Sequence, residues 1–160
     1  MRVGQGFDVH PFADDPARPL VLGGVVVHEG PGLAGHSDAD ALAHAVCDAL
    51  LGAAGLGDIG RLFPDTDPAH EGADSMRLLA GVCTRVRAAG FDVVNCDCTI
   101  VAERPTLGPY VDEIAGRVAD VVGAPVTVKA TRGEGLGAIG RAEGIACLAV
   151  ALIEHQGSRA

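Results

Sequence analysis

Polar and apolar residues alternate through the first ten positions of the chain, which predicts a β-strand over residues 1–10. Val3, Phe7 and Val9 fall on one side of the alternation, and a period of two is typical of an extended strand. Asp8 and His10 are two residues apart, so both side chains should lie on the same face. The end of the strand therefore presents a carboxylate and an imidazole together.

A helical period begins after residue 36, where apolar residues recur every four positions. This stripe consists of Leu42, Val46 and Leu50. Ser37 is a suitable N-cap, and Asp40 three residues later fits a capping pair or the positive end of the helix dipole. A polar stripe of Asp40, His44 and Asp48 has the same spacing of four, which places these side chains on one helix face. The Gly-, Pro- and Asp-rich residues that follow, up to position 67, predict an ordered loop.

The remaining apolar segments predict a sheet covered by helices. The further elements are a hairpin over residues 20–28 that turns at Gly23-Gly24, a helix over 75–89 that is capped by Asp74 and stopped at Gly90, a strand over 91–102, a helix ending near 122, and strands over 126–130 and 145–154. Strands and helices in this order indicate an α+β fold, a single-domain α/β sandwich spanning residues 1–160.

The charge of the chain limits the kinds of partner it can bind. Its formal net charge is −9, and the sequence contains no basic stripe, which argues against a nucleic acid or an anionic membrane surface as partner. Residues 145–153 form the longest apolar run, which is too short to span a bilayer. A phosphate ligand would require metal ions, or a few well-placed arginines and backbone N–H groups.

The five cysteines favour a reducing compartment. Their number is odd and no C-x-x-C pair occurs, so we expect small core residues rather than a disulfide framework. Cys96 and Cys98 share one strand face, where a redox pair is an alternative to simple packing. No apolar signal segment follows Arg2, and we expect a cytoplasmic protein.

Two parts of the sequence carry candidate chemistry. Asp8 and His10 with His44 would supply one carboxylate and two imidazoles, a set that suits zinc and leaves a fourth position open. The alternative is a strand-end turn and a hydrogen-bonded helical histidine. Residues 129–137 are rich in glycine, so their backbone N–H groups could cradle phosphate, with Arg132 as a bidentate phosphate contact and Glu134 as a ligand for Mg²⁺. The alternative for this segment is a set of ordinary turns.

Several long motifs resemble the family of 2-C-methyl-D-erythritol 2,4-cyclodiphosphate synthases, in the same order and over essentially the whole chain. The motifs are Gly4-Gln5-Gly6-Phe7-Asp8-Val9-His10, His36-Ser37-Asp38-Ala39-Asp40, Asp48-Ala49-Leu50-Leu51-Gly52-Ala53, Gly57-Asp58-Ile59-Gly60, Phe63-Pro64-Asp65-Thr66-Asp67-Pro68 and Glu143-Gly144-Ile145-Ala146. The resemblance implies a homotrimer with active sites between subunits. It also implies a reaction in which the 2-phosphate of 4-diphosphocytidyl-2-C-methyl-D-erythritol 2-phosphate attacks the sugar-linked phosphorus and expels CMP.

The resemblance also implies roles for individual residues. Asp8, His10 and His44 match zinc ligands, and Glu134 matches the ligand of a second divalent ion, Mg²⁺ or Mn²⁺. His36 and Ser37 match phosphate contacts, with His36 stabilising charge in the transition state. The methylerythritol pocket corresponds to Asp58, Ile59, Gly60, Phe63, Pro64, Asp65, Thr66 and Asp67. The cytidine site, on the neighbouring subunit, corresponds to Ala102, Glu103, Arg104, Pro105, Thr106, Leu107, Gly108, Ala130 and Thr131. Phe7 and Arg141 match residues near a central channel that holds an isoprenoid diphosphate.

The sequence departs from the family pattern around the phosphates. Where the family carries further Thr or Ser residues after Lys-Ala-Thr, this chain has Arg132 and Gly133. Thr106 stands in a segment that often contains Lys. Arg132 could replace the lost hydroxyl by a charge-assisted contact, or its bulk could hinder the substrate. Two alternative functions therefore remain at this point: a zinc phosphohydrolase, and a non-catalytic trimer that binds an isoprenoid diphosphate.

Overall fold

Most helices and strands have the bounds that the hydrophobic pattern indicated. The computed structural model describes residues 1–64 and 72–157. Its elements are β1 (Arg2–Pro11), β2 (Leu20–Leu22), β3 (Val25–Val27), α1 (Ala41–Ala54), α2 (Ile59–Leu62), α3 (Ser75–Ala88), β4 (Phe91–Val101), a 3₁₀ turn (Gly108–Tyr110), α4 (Val111–Val122), β5 (Val126–Thr131), α5 (Gly137–Gly140) and β6 (Gly144–His155). In the part of the chain so described, no helix has the length and apolar character that a membrane crossing requires.

The strands form a four-stranded sheet in the order β1-β6-β4-β5, and β2 and β3 form a separate hairpin. The pairs β1–β6 and β6–β4 are antiparallel, whereas β4 and β5 are parallel. Helices α1, α3 and α4 bury their apolar faces against one side of the sheet. The α+β class and the helix-covered sheet are thus confirmed. The helices α2 and α5 were not predicted, because four residues are too few to display a helical period.

Two glycines in β1 allow helix α1 to lie directly on the strand. A Cβ atom on Gly6 would come within 1.9 Å of the carbonyl oxygen of Ala45, and one on Gly4 within 2.1 Å of that of Ala49. Such distances are far below van der Waals contact, so no larger residue fits at this crossing. This close packing places the end of β1, which bears Asp8 and His10, beside His44 on helix α1.

The start of α1 differs from the prediction. The helix is capped by Asp40, not by Ser37, and Ala39 before it has a positive φ of 58°. The Asp40 carboxylate is fully buried and accepts three backbone N–H groups, from Ala43 at 3.0 Å and from Gly23 and Gly24 at 2.8 Å each. It therefore joins the helix N-terminus to the β2–β3 turn, which a pattern of local spacing cannot reveal.

The predicted polar face of α1 is confirmed for two of its three residues. His44 and Asp48 are half-buried on the helix, whereas Asp40 precedes the helix as its cap. Burial raises the pKa of the Asp40 carboxyl, against the opposing effect of its backbone hydrogen bonds. Asp40 is consequently a structural residue rather than part of the presented polar face.

The cysteines pack in the core, as expected. All five are buried free thiols. Burial raises the pKa of Cys96 and of Cys98 to about 12, so both thiols stay protonated and poorly nucleophilic at neutral pH. The packing interpretation is therefore preferred over a redox pair.

The face of the sheet opposite the helices exposes large apolar side chains. Val3, Phe7 and Val9 of β1 are 68%, 56% and 49% exposed, and Val150 of β6 is 43% exposed. The strand register sets Phe7 opposite Leu148 and pairs Val150 with Gln5, so these side chains are neighbours on one surface. A contiguous apolar surface of this kind is typical of a protein interface.

Candidate active site

The structure brings Asp8, His10 and His44 together as predicted. Strand β1 supplies the first two side chains and helix α1 supplies the third. The Oδ2 atom of Asp8 lies 3.0 Å from Nε2 of His10 and 3.1 Å from Nδ1 of His44, and the two imidazole nitrogens are 3.4 Å apart. No other group of three potential metal ligands within such reach occurs in residues 1–64 and 72–157.

The separations of these three atoms suit a tetrahedral metal ion. Zinc binds nitrogen and oxygen ligands at about 2.0–2.1 Å, so two ligands of a tetrahedral ion are roughly 3.3–3.4 Å apart. The three observed distances lie close to that value. All three ligands are half-buried, and His10 and His44 line a cavity. This leaves the fourth position accessible, as in catalytic rather than structural zinc sites.

Hydrogen bonds behind the histidines orient their rings. Nδ1 of His10 donates to the carbonyl oxygen of Ala34 at 2.7 Å, which leaves Nε2 as the ligand atom. Nε2 of His44 lies 2.9 Å from Oγ of Ser75, which leaves Nδ1 facing Asp8. Such contacts fix the tautomer and the direction of an imidazole ligand.

The electrostatics of the three residues favour a bound cation. Burial by itself raises the pKa of the Asp8 carboxyl, but hydrogen bonds and charge interactions with the two histidines outweigh it and hold that pKa well below its usual range. The pKa of His10 is raised chiefly by its hydrogen bond to Asp8, against the opposing effect of burial. Asp8 therefore remains ionised and attracts positive charge to the position between the rings.

Two of the candidate metal ligands, His10 and His44, border a cavity of about 300 Å³. Its walls include residues predicted to contact phosphate and the methylerythritol part of the substrate. The lining residues are His10, Gly35, His36, Ser37, His44, Ile59, Phe63 and Leu78. The structure thus brings residues 35–37 and His44 together with Ile59 and Phe63 around one cavity.

Two members of the predicted methylerythritol pocket line this cavity: Ile59 at the start of the short helix α2 and Phe63 at its end. Asp58 is its N-cap and accepts from the backbone N–H of Arg61, and Gly60 lies within the helix. Asp48 on α1 accepts the backbone N–H of Ile59 at 2.8 Å. Pro64 is the last described residue of the segment, and Asp65, Thr66 and Asp67 lie outside the described residues.

A second cavity of about 150 Å³ lies where the parallel strands β4 and β5 end. It is lined by most of the residues that the resemblance assigned to the cytidine site. The lining residues are Ala102, Pro105, Thr106, Leu107, Gly108, Ala130, Thr131 and Arg132. Glu103 and Arg104 instead line an adjoining cavity of about 530 Å³ with Thr106, Arg132 and Arg141, among other residues. The first and second cavities share no lining residue.

The candidate ligand of a second ion lies apart from the three-residue cluster. Glu134 is an exposed residue of the loop between β5 and α5, with a positive φ of 51°, and Gly133 packs against the backbone of Gly140. Arg141 is exposed and pairs with Glu143 at 2.6 Å. The loop therefore presents Arg132 and Glu134 to solvent beside the second cavity.

Sequence reasoning missed three residues that hold the site together. Arg18 donates to the carbonyl oxygens of Gly35 and Ser37 and so anchors the backbone around His36. Ser75 and Asp38 lie behind His44. Ser75 follows the cap of α3 and resembled an ordinary helix start, and Arg18 lies in a polar loop, so neither position carried a local signal.

Comparison with known proteins agrees with this geometry and confirms the resemblance. The YgbB family model matches residues 1–154. The 2-C-methyl-D-erythritol 2,4-cyclodiphosphate synthase of Syntrophobacter fumaroxidans is 54% identical over 160 residues, covering 98% of this chain and 99% of the relative. The Bordetella pertussis protein of the same name is 56% identical over 160 residues, covering 98% and 97%.

Solved structures give the same result. The bifunctional IspDF of Campylobacter jejuni superposes with a TM-score of 0.91 at 44% identity, over 96% of this chain and 42% of that protein. A CDP-bound 2C-methyl-D-erythritol-2,4-cyclodiphosphate synthase superposes with a TM-score of 0.86 at 35% identity, over 96% of this chain and 100% of the other. By sequence and by fold, the chain therefore belongs to the YgbB family, together with the 2-C-methyl-D-erythritol 2,4-cyclodiphosphate synthases.

Proposed function

We propose that residues 1–160 act as one catalytic domain that converts 4-diphosphocytidyl-2-C-methyl-D-erythritol 2-phosphate into 2-C-methyl-D-erythritol 2,4-cyclodiphosphate and CMP. The observation that carries the proposal is the cluster of Asp8, His10 and His44 at the edge of a cavity. His10 and His44 line that cavity together with His36, Ser37, Ile59 and Phe63. Family membership supports the same reaction. The protein would act in isoprenoid precursor biosynthesis, in the cytoplasm.

The reaction is an intramolecular phosphoryl transfer. An oxygen of the 2-phosphate forms a bond to the sugar-linked phosphorus, and the bond from that phosphorus to the CMP oxygen breaks, with the electron pair leaving on CMP. No water is consumed, so the site must hold the substrate bent and keep water away from the phosphorus. The catalytic contribution is then chiefly positioning and charge stabilisation.

Metal ions supply the charge that the protein lacks. Zinc bound by Asp8, His10 and His44, with Mg²⁺ or Mn²⁺ bound by Glu134 and the diphosphate, would neutralise the phosphates that the reaction brings together. A chain with a net charge of −9 could not otherwise hold such a polyanion. His36 and Ser37 lie on the cavity wall beside the metal ligands, where they can donate hydrogen bonds to phosphate oxygens.

The substrate would bridge two subunits. We infer that the methylerythritol part occupies the cavity beside α2, with Asp58 as an acceptor for hydroxyl groups and residues 65–67 contributing to the same pocket. Cytidine would occupy the cavity at the ends of β4 and β5 on the neighbouring subunit. The two cavities share no lining residue within one chain, which supports a site completed by a second copy.

Phosphorus NMR of the zinc- and Mg²⁺-loaded protein with the substrate tests the proposed function. We expect the two diphosphate resonances of the substrate to be replaced by those of a cyclic diphosphate, with CMP released in equal amount. A ring-opened hydrolysis product would establish the phosphohydrolase instead. Absence of turnover, together with retention of an isoprenoid diphosphate, would establish the non-catalytic trimer.

Assembly as a homotrimer is the first prediction. The exposed apolar sheet face that carries Phe7 and Val150 needs a partner, and we expect light scattering to give three chains per particle. Val150→Asp should shift the particle to a monomer and remove activity. Val26→Asp is the matched control, since Val26 on β3 has the same 43% exposure but lies off this face. A wild-type monomer with full activity would exclude a shared site.

Arg132 is the subject of the second prediction. It is exposed and lines both the cytidine cavity and the adjoining cavity. Among the described residues no carboxylate forms an ion pair with it, so the alternative of a surface salt bridge has no partner there. A guanidinium at this position offers a planar pair of donors to phosphate oxygens.

We expect Arg132→Ala to lower kcat by about 10²-fold, the scale for losing one preorganised charge-stabilising donor. Arg132→Thr, which introduces the hydroxyl of the family pattern, should recover part of that loss. Arg117→Ala is the control, because Arg117 pairs with Glu113 on the exposed face of α4. Steady-state kinetics equal to wild type in Arg132→Ala would show that Arg132 has no catalytic role.

A further inference from the structure

Ser75 lies behind His44, on the side of the imidazole that faces away from Asp8. It is the first residue of α3 and is fully buried. Its Oγ lies 2.9 Å from Nε2 of His44, and it also forms a short hydrogen bond to Oδ1 of Asp38. Ser37 Oγ is farther from the same imidazole nitrogen, at 3.3 Å. The three side chains of His44, Ser75 and Asp38 therefore form a continuous hydrogen-bonded chain.

Asp38, the last member of this hydrogen-bonded series, decides which atom is the donor in each of its hydrogen bonds. An ionised carboxylate can only accept hydrogen bonds, so the single hydroxyl proton of Ser75 must point to Asp38. The Ser75 oxygen then has only lone pairs to offer His44, so Nε2 of His44 must carry a proton. In a neutral imidazole the other nitrogen, Nδ1, is left unprotonated. That nitrogen faces Asp8 and His10 at the candidate metal position.

The Asp38 carboxylate is itself held in place by the backbone. Its Oδ2 accepts the N–H of Ser75 at 3.1 Å, and its Oδ1 accepts the N–H of Asp40 at 3.2 Å. The backbone N–H of Asp38 donates to the carbonyl oxygen of Ala73 at 3.1 Å. The carboxylate thus ties the N-terminus of α3 to the segment that precedes α1, and it accepts three hydrogen bonds that an amide in its place could not all reproduce.

We propose that Ser75 and Asp38 are positioning residues that hold His44 as the Nε2-protonated tautomer with Nδ1 aimed at the metal. The inference rests on the metal site of the proposed function, although it concerns metal affinity and not the identity of the substrate. Hydrogen-bonded partners behind an imidazole ligand orient the ring and raise its basicity, and removing them lowers metal affinity by about 10- to 100-fold.

The first test measures zinc affinity by competition with a chromophoric chelator. Ser75→Ala removes the acceptor behind His44, and we expect the dissociation constant for zinc to rise by about 10- to 100-fold. Asp38→Asn should also raise the dissociation constant for zinc about 10-fold or more. The amide can donate to the Ser75 oxygen, so that the Ser75 hydroxyl is free to donate to Nε2 of His44 instead of accepting from it. Wild-type affinity in both variants would overturn the inference.

Asp74→Asn is the matched control. Asp74 is the exposed N-cap of the same helix, and its side chain accepts the backbone N–H of Met76. This variant removes a carboxylate charge at the start of α3, as Asp38→Asn does beside it, without touching His44. If it loses zinc as strongly as Ser75→Ala, the effect belongs to the helix end, and the inference is overturned.

The second test observes the protons of the His44 ring directly. In the zinc-loaded protein labelled with ¹⁵N-histidine, we expect a His44 Nε2–H proton protected from exchange with water and a metal-bound Nδ1. In Ser75→Ala that proton should exchange faster. A His44 ring bound to zinc through Nε2 would overturn the inference. Because both tests measure the metal and the imidazole, they can succeed while the turnover assay fails, so the two proposals are separable.

Discussion

Replacing His44 with alanine should remove zinc from the site and lower turnover by roughly 10³-fold or more. The imidazole is one of three ligands, and two remaining ligands hold a catalytic ion poorly. The bound ion is expected to contribute several kcal/mol of charge stabilisation in the transition state, and each 1.4 kcal/mol corresponds to about a factor of ten in rate. Elemental analysis should show the loss of zinc, and kinetics with the cyclising substrate should show the loss of turnover.

His28→Ala is the control for this experiment. His28 is exposed and lies just after β3, so its removal should leave zinc content and kinetics unchanged. Retention of one zinc ion per chain in His44→Ala would contradict the assignment of the ligands. Loss of zinc with full turnover would instead show that the metal is structural.

Replacing Asp40 with alanine should destabilise the fold by about 3–5 kcal/mol. The variant would lose the N-cap of α1, which is worth about 1 kcal/mol. It would also leave the buried N–H group of Gly23 and the partly buried N–H group of Gly24 without their carboxylate partner. Each hydrogen bond to a charged group is worth about 1.5–3 kcal/mol, and relief from burying the carboxylate offsets part of this sum. Urea unfolding at fixed chain concentration and fixed zinc measures the change.

Asp74→Ala provides the comparison, because Asp74 is also an N-cap but is exposed and accepts one backbone N–H. Its replacement should cost about 1 kcal/mol. Asp40→Asn should fall between the two alanine variants, since the amide keeps one acceptor atom. Equal destabilisation by Asp40→Ala and Asp74→Ala would show that the contacts of Asp40 to the β2–β3 turn contribute nothing.

The candidate metal site was largely predictable because its geometry follows from two local periods. A period of two places Asp8 and His10 on one face of β1, and a period near four places His44 on the polar face of α1. Residue chemistry then indicated zinc. The bounds of the longer elements followed in the same way, since each presents an apolar face long enough to show its period.

The nucleotide and phosphate regions were not predictable from the residues alone. Residues 102–108 follow β4 without a period, and their assignment to cytidine, like that of Ala130 and Thr131 at the end of β5, came from the resemblance to the family. Residues 102, 105–108 and 130–132 lie around one cavity because β4 and β5 are parallel neighbours. That adjacency depends on strand order, which no local pattern reports.

By itself, the sequence determined which side chains could bind a metal together and which elements present them, because strand and helix periods are properties of neighbouring positions along the chain. Only the tertiary structure decided how those elements meet. Gly4 and Gly6 allow α1 to lie against β1, Asp40 rather than Ser37 caps the helix because it also binds the β2–β3 turn, and Ser75 reaches His44 from another helix. These contacts join residues far apart in the chain, and they form only when burial of the shared core brings the segments together.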